Sequence, residues 1–93
     1  MELFVARYVA LVGGRPGSFG VVVPDLPGCT SGGATVGAAL RNAAEAVTLW
    51  IEDALDDGEK IPNPRSAESL RSDPAVAAAL AQGAILTRAP LTR

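Results

Sequence analysis

The sequence predicts an α+β fold, a two-layer sandwich in which an antiparallel sheet packs on one long helix in the order β-β-β-α-(short helix)-β. Three observations carry that prediction. Two apolar runs near the N-terminus, residues 3–12 and 19–23, are separated by a glycine- and proline-rich stretch. That is the pattern of strands joined by a short antiparallel connection. Residues 36–55 then repeat apolar side chains at three- and four-residue steps, the period of a helix with one buried face. A last apolar run, residues 84–91, returns after alternate prolines and a short alanine-rich piece.

The elements follow in order. Residues 3–12 (LFVARYVALV) carry one charge, Arg7, so a strand here is covered on both faces along part of its length. Gly13-Gly14-Arg15-Pro16-Gly17-Ser18 is turn punctuation. Residues 19–23 return as the second strand, which ends at Pro24 because proline donates no ladder hydrogen bond. Residues 29–33 form a short, polar, glycine-ended third strand suited to a sheet edge, where another chain can pair. Thr35 is the expected N-cap of the main helix, with Gly37 weakening its first turn and Gly58 stopping it. Its apolar stripe runs through Val36, Ala39, Leu40, Ala43, Val47, Trp50, Ile51, Ala54 and Leu55, opposite Arg41, Glu45, Thr48, Glu52 and Asp56. Trp50 is expected in the helix–sheet interface.

Residues 59–64 (EKIPNP) are extended by their prolines and anchored through Ile61. Residues 66–70 form a helical turn with Ser66 or Ser69 as cap. Asp73-Pro74 is a cap followed by proline at the first helical position, opening a short helix over 75–81 that ends at Gly83. Pro90 marks the last strand, residues 84–91, as an edge.

A length of 93 residues with 48% hydrophobic and 19% charged side chains suits one folded domain spanning 1–93. Only Phe4, Tyr8, Phe19 and Trp50 are aromatic, so the core is built from small pieces. A net charge of −2 with scattered arginines lacks the basic patch of a nucleic-acid binder and suits a basic partner. Cys29 is the single cysteine and there is no histidine. An internal disulfide is therefore impossible, and a histidine-activated thiol is too; Cys29 reads as a small apolar core residue. With no secretion signal and no apolar run of about 18 residues, the expectation is a cytoplasmic protein without membrane contact.

Few residues invite chemistry. Gly14 and Gly17 match neither glycine-rich nucleotide signature, so no cofactor is expected. Asp53, Asp56 and Asp57 gather where the helix dipole disfavours negative charge. They read as a solvated helix end able to meet something positive rather than as a metal site. Two-metal phosphodiester cleavage needs converging carboxylates. The first strand offers none and only Asp25 lies near the sheet, so no catalysis is expected. The distinctive stretch is Val23-Pro24-Asp25-Leu26-Pro27-Gly28-Cys29, whose prolines hold Asp25 and Leu26 on a stiff corner. Leu26 either plugs the end of the core or, with Asp25, presents a surface.

That stretch resembles the strand-and-turn "F-P-D-L-P-G-C" of HicB-type antitoxins, and the similarity continues. Gly33, Thr35, Ala39-Leu40, Asn42-Ala43, Glu45-Ala46 and Leu49-Trp50-Ile51-Glu52 follow the family's helix. Gly58-Glu59, Ile61-Pro62 and Pro64 resemble its "G-E-x-I-P-x-P" tail, while Tyr8 and Phe19-Gly20 occupy its strand positions. The resemblance spans residues 4–66 plus the position of the final strand. It implies a β-β-β-α-β unit that binds and occludes a HicA-type toxin, a small basic mRNA-cleaving ribonuclease. The sequence departs from the family at Gly37 and Ala38, where an acidic pair is usual, and at Ala34, where aspartate is common. Many relatives carry a C-terminal DNA-binding module. The stretch after residue 66 shows no basic recognition helix, so neither such a module nor direct DNA binding is expected.

The toxin-contacting surface is expected at Asp25, Leu26, Pro27, Thr30, Ser31 and Gly32. Edge strands also favour self-association, so a homo-oligomer, dimer or higher, is expected. The competing expectation is a HicB-like homo-oligomeric regulatory or ligand-binding domain without a toxin partner.

Overall fold

The computed structural model describes residues 7–88. Four antiparallel strands, β1 (Val9–Arg15), β2 (Ser18–Val22), β3 (Thr30–Gly33) and β4 (Ile85–Arg88), lie in the order β3-β2-β1-β4. The long helix α1 (Val36–Asp56) covers one face, and two short helices, α2 (Ala67–Leu70) and α3 (Pro74–Ala81), contribute to a cluster with β1 and β4. The predicted α+β architecture, a sheet packed on one long helix, is thus present.

The first strand runs further than residue 12. Its pairing with β2 continues through Gly13↔Gly20, Gly14↔Phe19 and Arg15↔Ser18, because Pro16-Gly17 alone suffices for the turn. Residues 3–6 of the expected strand lie outside the described residues, as do residues 89–91 of the last one. Both faces of β1 are covered, as its near-continuous apolar run implies. Ala10 and Val12 pack with Val21, Ala39 and Ala43, while Val9 packs with Leu70 and Val76.

Thr35 caps α1, its side chain accepting from the Ala38 N–H at 3.0 Å. The far end closes as a Schellman turn: Gly58 N–H donates to Leu55 O and Glu59 N–H to Ala54 O. The buried stripe consists of Ala39, Ala43, Ala44, Val47, Ile51 and Ala54, mostly small side chains that let the helix lie close to the sheet. At Gly33 a Cβ would sit 2.7 Å from Ala39 N, so only glycine admits the helix at this distance. One position of the expected stripe differs: Leu55 is exposed. Trp50 is half-buried and packs against the cluster of Tyr8, Val23, Leu26, Cys29, Ala44, Val47 and Ile51.

Residues 59–66 carry no regular secondary structure and are fastened along their length. Ile61 packs on the cluster of Tyr8, Val23, Leu26, Cys29, Ala44, Val47 and Ile51, and Tyr8 Oη donates to Pro62 O at 2.5 Å. Ser66, rather than Ser69, caps α2 by accepting from the Ser69 N–H. Asp73 caps α3 by accepting from Ala75 and Val76 N–H, with Pro74 opening the helix.

Candidate functional site

The proline corner connects β2 to β3 as two successive turns. Val23 N–H donates to Cys29 O at 3.0 Å, closing the loop, while Leu26 N–H donates to Val23 O and Cys29 N–H to Leu26 O. Pro27 and Gly28 sit at the two central positions of the second turn. Gly28 has φ +81°, the conformation a type II turn demands there. Three backbone donors of the corner, those of Val23, Leu26 and Cys29, are thus used within it, which stiffens the loop from its own residues.

Its side chains divide into two groups. Leu26 is fully buried within the cluster that holds Tyr8, Val47 and Ile51. It plugs the end of the core, so its expected place on the contact surface is corrected: the side chain is covered by the protein itself. Asp25 is nearly covered as well, its side chain 7% exposed. Its carboxylate accepts from Arg65 N–H at 2.6 Å and from Arg65 Nε at 2.5 Å, so this acid clasps the proline segment. The sequence reading did not find Arg65. The contact spans 40 residues, and nothing in local periodicity marks an arginine after a proline as its partner.

Pro27 in the loop, and Thr30 and Gly32 in β3, are exposed, and Ser31 of β3 is half-buried. Two neighbours hold them there. Trp50 Nε1 donates to Pro27 O at 2.9 Å, and Asn42 Nδ2 donates to Gly32 O at 2.9 Å. The second bond occupies a carbonyl on the β3 edge that a pairing strand would otherwise use.

Electrostatics around the corner follow from these contacts. The Asp25 carboxylate, with Asp73 also in reach at 3.5 Å, holds the Arg65 guanidinium above its already high ordinary value. Hydrogen bonds from Val76 and Ala75 N–H, with Arg65 adding a smaller effect, hold the Asp73 carboxyl below the usual carboxylate range. Burial pushes the Cys29 thiol up, which disfavours its nucleophilic form. Burial, then the Asp25 charge, pushes the Tyr8 hydroxyl up. Among the described residues no three histidine, cysteine, aspartate or glutamate side chains converge to hold a metal ion. No described helix is long and apolar enough to cross a membrane.

A family model described as "HicB_like antitoxin of bacterial toxin-antitoxin system" matches residues 8–87. A 14.9 kDa protein from the rep-hol intergenic region of Haemophilus phage HP1 is 43% identical over 54 residues, covering 58% of this chain and 41% of the phage protein. A UPF0150 protein of Thermoplasma acidophilum is 42% identical over 52 residues, covering 56% of this chain and 75% of its own length. Among solved structures, the N-terminal domain of Burkholderia pseudomallei antitoxin HicB superposes with a TM-score of 0.69 at 29% identity, covering 87% of this chain and 91% of that one. A chain of the HicA3 and HicB3 toxin-antitoxin complex does so with a TM-score of 0.70 at 27% identity, covering 87% and 92%. The chain spans 61% of the longer Burkholderia antitoxin and 41% of the phage protein.

Proposed function

Because the chain belongs to the HicB-like antitoxin family of bacterial toxin-antitoxin systems, we propose that it binds a HicA-type mRNA-cleaving toxin and neutralises it by occlusion. The observation that supports this most directly is the likeness of the whole described fold to a chain of a HicA3 and HicB3 complex. In this reading the protein acts by binding and not by catalysis, in the cytoplasm, without cofactor or metal. The contact surface is formed by Pro27, Thr30, Ser31 and Gly32. Asp25 and Leu26 contribute from beneath, one clasping Arg65 and the other filling the core. A preformed surface of this kind gains affinity because little ordering is lost on association.

Two further parts of the reading concern assembly. The two short helices and β4 complete the fold, as Leu70, Val76 and Leu86 pack on β1. Residues 67–88 then serve as part of the single domain rather than as a DNA-binding module. Exposed Val22 and Ile85 on the sheet support self-association into a homo-oligomer.

Co-expression with a HicA-type toxin tests the proposal. The expected result is restored growth and a complex that co-purifies. Persistent growth arrest with no complex refutes it.

A further inference from the structure

Beside Pro27 the corner opens into a groove of about 530 Å3 at the C-terminal end of α1. Trp50, Pro27 and Pro62 supply apolar walls, and Asp53, Asp57 and Glu59 supply carboxylates. Among the described residues Lys60 is the one cationic side chain lining it, against three carboxylates, so the described lining carries a net negative charge. The last turn of α1 holds no basic residue, and the helix C-terminus adds its own partial negative charge at this end. The ion pairs of Arg65 with Asp25 and Asp73 do not involve the three groove carboxylates.

These features select the occupant. The carboxylates do not converge as a metal cage does, and a nucleic-acid phosphate would be repelled by them. An apolar ligand alone would leave the acidic rim without a function in binding. A cation with a flat, partly apolar body satisfies both halves, because a guanidinium stacks on an aromatic ring and donates in a planar fork to carboxylates. We propose that the groove at Trp50 is a recognition site for an arginine side chain presented by a basic protein partner. This deepens the toxin-binding reading, and rests on it only for which protein supplies the arginine.

Trp50 is the sole tryptophan, so its indole N–H gives a single nitrogen-15 resonance that reports on the groove. The probe is a short arginine-rich peptide, with the same peptide carrying citrulline at each arginine as its uncharged counterpart. The expected result is a saturable shift of the indole signal with the arginine peptide, weakened by salt. In the Asp53→Asn, Asp57→Asn, Glu59→Gln triple variant the affinity should fall by about tenfold, and the citrulline peptide should produce no saturable shift. These isosteric changes lie on the exposed surface, and an unchanged melting curve confirms the variant's fold. Equal titration by the citrulline peptide, or by the folded triple variant, overturns the inference. Rescue from a toxin with no arginine binding overturns the groove alone, whereas arginine binding without rescue supports the groove and overturns the toxin reading.

Discussion

Replacing Leu26 by alanine distinguishes a core plug from a contact residue. The Leu26 side chain is fully buried, and its backbone holds both turns of the corner through the Val23 and Cys29 bonds. Alanine keeps those bonds and removes only the packed hydrocarbon. Leu→Ala at buried sites costs about 2–5 kcal/mol, more where the surroundings cannot collapse. Here the covering loop is stiffened by Pro24 and Pro27 and closed by three backbone hydrogen bonds, so the expected loss is about 3–4 kcal/mol. A chain of this length has a total stability of about 5–14 kcal/mol. The melting temperature should therefore fall by roughly 12–32 °C, at about 4–8 °C per kcal/mol for a domain of this size. Urea denaturation followed by circular dichroism should show a lower midpoint with an unchanged slope. At a temperature where the variant is folded, its affinity for the toxin should match the wild type. A midpoint near wild type, or intact stability with lost toxin binding, would refute the assignment of Leu26 to the core.

Gly33→Ala should destabilise by about 1–3 kcal/mol, as overpacking does, because its Cβ would press on Ala39 N at 2.7 Å and Ala38 C at 3.0 Å; a wild-type urea midpoint would contradict this packing. Asp25→Asn removes the charge that holds Arg65 and should speed tryptic cleavage after Lys60 and Arg65, read by the rate at which fragments appear. Unchanged cleavage would mean that the clasp does not hold the proline segment. Asp73 is held below its ordinary value of 3.8 chiefly by the Val76 and Ala75 N–H groups. Its contribution is thus fully present above that value and lost as the pH falls through the lowered one. Asp73→Asn, still able to cap, should flatten the acid limb of the stability–pH curve, and an identical limb would count against the contribution.

What was legible in the sequence was local. Thr35 and Asp73 could be named as caps because capping is decided within a few residues, and Gly58 as the helix stop for the same reason. The corner's shape followed from Pro24, Pro27 and Gly28 alone. Contacts across long stretches of chain were not legible in that way. Asp25 reads as a surface residue in the sequence, yet Arg65 covers it from 40 residues away, and helical period alone does not show that Leu55 stays exposed while alanines fill most of the buried stripe. The family resemblance agreed with the order of elements that periodicity and punctuation predict, but it carried no information on which corner side chains remain accessible once the proline segment is laid down.

The strand order β3-β2-β1-β4 separates the two proposed kinds of contact. At β3 the Gly32 carbonyl is taken by Asn42, and Gly33 lies hard against α1. A partner adding a strand there would have to displace the Asn42 side chain. A partner meeting Pro27, Thr30 and Ser31 through side chains displaces nothing. At the opposite edge of the described sheet, β4 carries exposed Ile85. In the proposed reading, toxin recognition by side chains at the β3 end and self-association at the β4 end would use opposite edges of the described sheet.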